Sequence, residues 1–320
     1  MAVQTTIYTA GGTPQRTYLN KEFYDKNLLE MAKTKFVHAN FGQKRNIPRN
    51  GGKKVEFRRW VPFTITNNYN ELTEGVTPDG QDLAQAHLEA TCKQYGAYVE
   101  VSDLLKRTSY DDVALGATDM LGEQMGTIIE WVTRDAMCAG TNVLYANGKT
   151  ARTGIAATDK LTTTEIRKAV RELKKAKAPM ITEGKKPHYV AIISPDAAYD
   201  LQSDPLWQDV SKYSNAEQIY SGEIGRLFGV VFVESTEAKV FTGGGASGAD
   251  VHCALVFGRD AYGRVDIEGS GAIQSIVKGL GQTGYDPLNQ RATYGAKVEA
   301  YTALILNDDW LIRIEHGVTA

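Results

Sequence analysis

Gly279-Leu280-Gly281-Gln282-Thr283-Gly284 spells G-x-G-x-x-G, the pattern of a dinucleotide-binding turn. That chemistry needs the glycines to open a helix whose N-terminus faces a pyrophosphate. Here Tyr285-Asp286-Pro287 follows at once and Asn289-Gln290 brings no apolar helical period, so the expectation is a glycine-rich crossover loop. Gly148-Lys149-Thr150 ends like a phosphate-binding loop, but Val143 occupies the position of its first glycine. Gly243-Gly244-Gly245 lacks both a lysine and a following helix. The five histidines, His38, His87, His188, His252 and His316, have no metal-ligand spacing. Gly269-Ser270-Gly271 is not a nucleophile elbow. The carboxylate pairs Asp111-Asp112 and Asp308-Asp309 read as helix-cap and turn residues. No catalytic residue, cofactor site or metal site is therefore expected.

The remaining candidate is a basic cluster, Lys44, Arg45, Arg49, Lys53, Lys54, Arg58 and Arg59, interleaved with Phe57 and Trp60. Three readings stand open. It can contact nucleic acid, form a solvated strand face, or meet an acidic surface on a second copy of the chain.

The elements that position these residues follow from local pattern. Residues 1–19 read as an arm and Asn20–Lys35 as a helix. Lys53–Phe63 alternates with a strand's period of two, and Leu88–Val101 reads as the returning strand. The polar loop between them holds Glu71 and Glu74; loops this long tend to be functional. Ser109–Ala139 keeps a 3–4 apolar spacing and predicts one very long helix, capped by Ser109 or Asp111. Leu161–Ala178 predicts a second, with Thr162 and Glu165 as a capping box and a basic outer face. Tyr189–Ser194 and Gly225–Ser235 read as buried strands, the latter with Gly229 as a turn or bulge, and Pro195 opens a short helix. Cys253–Phe257 and Val265–Glu268 are further strands, and Asn307-Asp308-Asp309 predicts a hairpin turn within Arg291–Ile314. The class is α+β.

Composition bounds the rest. The chain has 320 residues, 42% hydrophobic and 23% charged, with a net charge of −2. That excludes a disordered chain and a strongly basic nucleic-acid binder. No stretch approaches the ~18 apolar residues of a membrane span. The N-terminus does not read as a signal peptide, and three dispersed cysteines fit a reducing compartment. The charge is segregated: residues 1–60 carry 12 basic and 4 acidic groups, 61–140 carry 4 and 13, 141–190 carry 11 and 4, and 191–320 carry 9 and 17. Blocks of opposite sign can meet within a fold or between copies.

Phe57-Arg58-Arg59-Trp60-Val61-Pro62, then Leu72–Pro78, Gln94–Asp103, Gly225–Ser235 and Asp286–Arg291 occur in an order that resembles the major capsid proteins of tailed bacteriophages, over residues 20–316. The resemblance implies the tailed-phage major capsid protein fold: an N-terminal arm with a short helix (1–40), an extended β-hairpin loop (41–105), a peripheral domain with the spine helix (106–160), an axial domain (161–284) and return strands of the peripheral domain (285–320). It implies a structural protein, not an enzyme, that self-assembles as hexamers and pentamers into an icosahedral shell enclosing double-stranded DNA. The implied location is the virion, after assembly in the host cytoplasm. Implied partners are the chain itself, portal, separate scaffolding and decoration proteins, and packaged DNA held by non-specific contact, with no membrane. An encapsulin-like compartment shell is the alternative; a nucleotide-binding enzyme using residues 279–284 is a weaker one. The residues expected at the subunit interface are Lys44, Arg45, Arg49, Lys53, Lys54, Arg58, Arg59, Trp60, Glu71 and Glu74, with an acidic surface around Asp103–Asp119 of a neighbour as their target.

Overall fold

The computed structural model describes residues 28, 32, 36–47, 52–61, 63, 71, 72, 74–77, 80–110, 112–182, 187–211, 223–267, 273–282 and 286–319. The expected arm, most of the Asn20–Lys35 helix and Arg49 lie outside them.

Strands buried on both faces form the centre of the larger sheet. Its strands, in chain order, are Val143–Tyr145 (β5), Tyr189–Ile193 (β6), Glu223–Leu227 (β7), Val230–Glu234 (β8), Val240–Phe241 (β9), Val251–Phe257 (β10) and Leu311–His316 (β14). Across the sheet the order is β5-β14-β10-β6-β8-β7, with β9 beside β10. Alternate residues serve two cores. Tyr189, Ala191, Ile193, Phe232, Ala254 and Val256 face the helices Thr163–Lys175 and Pro195–Gln202. Val190, Ile192, Val231, Val233, Leu255 and Phe257 face a second apolar layer. A strand covered on both sides reads as a continuous apolar run, which is why β6 stood out in the sequence.

The smaller sheet runs Gln43–Ile47 (β1), Tyr262–Ile267 (β11), Arg291–Ile305 (β13) and Gln274–Lys278 (β12), with Lys93–Ser102 (β4) also on β13. Its long strand β13 lays Ala292, Tyr294, Ala296 and Val298 on the spine helix. Stretch 161–284 thus contributes β11 and β12 to the smaller sheet, and 285–320 contributes β14 to the larger one, so the two layers interleave along the chain.

The helices correct the sequence reading at their ends. The expected 109–139 helix is shorter, Val113–Met137 (α2), and a separate short helix that the sequence did not predict, Asp103–Thr108 (α1), lies just before it. The break is set by Asp112, whose carboxylate accepts from the Ala114 and Leu115 N–H groups and starts a new helix. At 1.5 Å per residue the 25-residue α2 is about 37 Å long. The Thr162–Glu165 capping box does not form. Asp204 accepts from Thr163 N and Oγ1, and Glu165 instead takes Lys168 at 2.9 Å. Ser194 and Pro195 do open the helix Pro195–Gln202.

Three strand readings also change. Leu88–Val101 divides at Cys92 into Gln85–Thr91 (β3), which pairs with Lys54–Trp60 (β2), and β4, which pairs with β13. Gly225–Ser235 is the hairpin β7–β8, turned at Phe228 and Gly229, both with positive φ as a two-residue hairpin turn demands. Residues 307–309 form no hairpin: β13 and β14 belong to different sheets, and a short 3-10 turn at Asp308–Trp310 carries the chain between them. Asp308 accepts from Thr141 N at 2.9 Å, tying this crossover to the end of the spine.

The spine is held on its inner side by backbone contact. Leu28 and Ala32, both helical and buried, lie against Gly122 and Gly126 of α2. A Cβ on Gly126 would stand 2.6 Å from the Ala32 carbonyl oxygen, and one on Gly122 would stand 2.7 Å from that of Leu28. One turn on, buried Glu130 accepts from Val37 N, His38 N, His38 Nδ1 and Ala39 N, at 2.6–3.2 Å. Gly126→Ala should therefore destabilise the unassembled chain by about 1–3 kcal/mol despite alanine's better helix propensity. Gly116→Ala, on the open side of the same helix with no atom within 4 Å, should stabilise it by about 0.5–1 kcal/mol. Urea unfolding of both variants checks the contrast in sign.

Candidate assembly surface

The β2–β3 ribbon is anchored at its base and bare above it. Phe57 points inward onto Gly263, Cys92, Val265 and Ala300. Beside it β1 runs parallel to β11, so that Lys44 is level with Arg264 and Arg45 with Val265. The ladder continues past the strand ends, from Cys92 N to Lys53 O at 2.9 Å and from Val61 N to Ala84 O at 3.0 Å. Farther out the ribbon has little beneath it. Trp60 is 61% exposed, Leu72 70% and Leu83 69%, and Val61, Phe63, Val76 and Leu88 are also open to solvent.

The predicted basic residues share this ribbon and β1, but they are partly balanced in place. Lys54 pairs with Glu89 across the ladder at 3.0 Å, and Arg58 pairs with Glu56 at 2.7 Å. The Arg58 guanidinium beside Glu56 holds that carboxyl below the usual carboxylate range. Both pairs are exposed and contribute little stability. Arg45 stacks on the Phe57 ring at 5.1 Å. Lys44, Lys53 and Arg59 form no ion pair among the described residues. Glu71 and Glu74 are exposed in the outer loop, 11 and 14 residues beyond Trp60. A groove of about 680 Å³ separates the ribbon from the 305–310 crossover. Arg45, Arg58 and His87 line it from the ribbon side, and Asp260, Asp308 and Asp309 from the crossover side.

A second bare patch lies where the sequence suggested an acidic surface. Helix α1 buries no residue: Leu104 is 67% exposed and Leu105 48%. Tyr110 and Met120, at the break and on the first turns of α2, are likewise open. Asp103, Asp112 and Asp119 share this region; Asp112 caps α2, and Asp103 accepts from Leu104 N at 2.8 Å. Sequence reasoning marked the charges here and missed the leucines, whose signal is an apolar pair in a helix too short to have an inner face.

Side chains that could imitate a catalytic site resolve into structural ones. Ser194, Asp196 and His252 do converge, yet Ser194 Oγ and Asp196 Oδ2 both address His252 Nδ1, at 3.1 and 3.9 Å. A hydrolytic triad needs them on opposite ring nitrogens. Ser194 also accepts from Ala197 N as a helix cap. The glycine loop at 279–282 ends β12, where Gln282 accepts from Gly279 N; a turn at 286–290 and then β13 follow the undescribed residues 283–285. Among the described residues no group of three His, Cys, Asp or Glu could hold a metal, and no helix is long and apolar enough to cross a membrane.

A family model described as phage capsid protein matches residues 89–292, more than half of the chain. The chain belongs to the phage capsid protein family. It is a structural capsid protein, and its place is the virion. The capsid protein of Ralstonia phage GP4 has a similar fold, with TM-score 0.72 and 16% identity over 90% of this chain and 91% of that one. The capsid of cyanophage Pam1 superposes with TM-score 0.65 and 14% identity, over 87% and 88%. A virus-like particle from Pyrococcus furiosus is more distant, at TM-score 0.52 and 11% identity, over 92% and 98%. No curated protein matches the sequence. The tailed-phage capsid fold expected from the sequence is the one observed.

Buried His316 gives the capsid protein an acid sensitivity. It sits opposite His252 in the β10–β14 ladder, with ring centroids 6.2 Å apart, and its Nε2 has no partner. Burial pushes its pKa down to about 4, with the neighbouring His252 adding to the effect. The folded value lies below the ordinary ~6.5, so the stability from keeping the ring neutral is full above pH 6.5. It is lost as the pH falls from 6.5 toward 4, by about 3 kcal/mol in all. His316→Gln should flatten this slope in urea midpoints taken at several pH values across that window.

Proposed function

We propose that the chain is the major shell subunit of a tailed phage, assembling as hexamers and pentamers into an icosahedral wall around double-stranded DNA. The observation that carries this is the pair of bare apolar patches, one on the β2–β3 ribbon and one on α1 with the first turns of α2. A two-stranded ribbon is marginal alone in water, and an apolar face of this extent marks a protein–protein contact. The patches differ, so the contact is heterologous: each ribbon lies on the α1 region of the next copy, an arrangement that closes into rings. Arg59, Lys53 and Lys44 then approach the carboxylates near Asp103 and Asp119, which fixes orientation more than affinity.

In this reading 41–105 is the extended loop, 106–160 with 285–320 the peripheral domain around the spine, 161–284 the axial domain, and 1–40 the arm. Assembly takes place in the host cytoplasm with portal, separate scaffolding and decoration proteins as partners. The wall meets packaged DNA by non-specific contact and carries out no reaction.

Two charge- or polarity-reversing variants test the contact from its two sides. Arg58→Glu with Arg59→Glu, and Leu104→Glu with Leu105→Glu, should each leave the circular dichroism spectrum of the subunit unchanged. Both should reduce shells seen by negative-stain microscopy at least tenfold. Normal shells from either variant contradict the proposed contact. Shells that hold protein cargo instead of DNA contradict the phage assignment in favour of a compartment shell.

A further inference from the structure

Cys138 closes the spine helix as its C-cap, and Cys253 is the third residue of β10. Although 115 residues apart in sequence, their Sγ atoms stand 3.7 Å apart, within one apolar cluster. All three cysteines are free thiols, and Cys92 belongs to a different cluster under the ribbon. The two thiols are not equivalent. Cys138 is 8% exposed and Cys253 2%, so a small reagent reaches Cys138 first. The Cys253 thiol hydrogen-bonds Cys138 and draws its pKa down, with the Arg313 guanidinium adding to this. Burial drives Cys253 the other way, well above the usual thiol range, so it remains a proton donor. Arg313 is fixed there: its Nη1 donates to the Cys138 carbonyl, and its Nε pairs with buried Glu315 at 2.9 Å.

We infer that Cys138 and Cys253 form a peroxide-responsive dithiol, whose oxidation staples the end of the spine helix to the centre of the seven-stranded sheet. The Cys138 thiolate attacks a small hydroperoxide. An S–O bond forms, the O–O bond breaks, and hydroxide leaves, taking up a proton as water. Cys253 sulfur then attacks Cys138 sulfur. The S–S bond forms, the S–O bond breaks, and the Cys253 proton leaves with the hydroxyl as a second water. One peroxide is reduced and two thiols are oxidised. A disulfide needs an S–S separation of about 2.0 Å, so the sulfurs close by roughly 1.7 Å, within the reach of a side-chain rotation. The inference is independent of how the subunits assemble. Its consequence for a shell is a wall that is pliable in a reducing cell and stiffens in oxidising surroundings.

The test treats the purified full-length chain with hydrogen peroxide, then alkylates it under denaturing conditions. The expected result is one alkylated cysteine, Cys92, a peptide linking Cys138 to Cys253, and three alkylated cysteines after dithiothreitol. The thermal midpoint should rise by about 5–10 °C on oxidation, as expected for closing a loop of this length. In Cys253→Ser, Cys138 should stop as a sulfenic acid trapped by dimedone. Three free thiols after treatment of the wild-type chain would overturn the inference. So would a sulfinic acid at Cys138 without the linked peptide, or a linkage through Cys92.

Discussion

A two-stranded ribbon carrying more apolar side chains than it can bury is the constraint around which the rest of the chain is arranged. On β2 Phe57 is sealed against the smaller sheet, while Trp60, Leu72 and Leu83 stay mostly exposed among the described residues. The cost of that surface in water is proportional to its apolar area. What the subunit does supply is a fixed base: β1 paired in parallel with β11, Arg45 stacked on Phe57, and the ladder extended at both ends. The ribbon is thus aimed before it has anything to bind, which lowers the ordering cost of association.

The body that aims it is stiff because its two sheets and the spine share parts. Strand β13 pairs with β4, β11 and β12 and packs along α2. Tyr301 on that strand meets Thr133 of the spine at 2.7 Å. Helix α2 is also approached closely at Gly122 and Gly126, and Glu130 gathers three backbone N–H groups and the His38 ring. Removing a partner from such a buried carboxylate leaves an uncompensated charge, so this cluster locks the 37–39 segment to the spine. Arg152 makes a comparable lock at the other end, gripping buried Glu315 through two bonds of 2.8 and 2.6 Å while stacked on Phe241.

What was legible in the sequence is what local chemistry decides. The run Tyr189–Ile193 is buried on both faces, Ser194-Pro195 starts a helix, and the apolar spacing of the spine holds for 25 residues. What was not legible depends on a partner distant in sequence. Nothing near Cys92 shows that the strand changes neighbours there, because β13 is about 200 residues away. The Thr162–Glu165 pattern satisfies a capping box, yet Asp204 arrives from the link between two later helices and takes the position. Asn307-Asp308-Asp309 has the composition of a hairpin turn and the role of a crossover, since β14 finds a deeper site beside β10. The interface residues follow the same rule. Lys54 and Arg58 are paired within the ribbon, while the apolar row and the α1 residues Leu104 and Leu105 stay exposed, so apolar surface rather than free charge dominates both patches.

The account rests on the ribbon being finished by a second copy. An electron cryo-microscopy map of the assembled particle measures this directly. Trp60, Leu72 and Leu83 should be covered by residues 103–120 of an adjacent subunit, with Arg59 near that subunit's carboxylates. A particle in which the ribbon folds back over its own subunit, or stands in solvent with the α1 leucines uncovered, would contradict it.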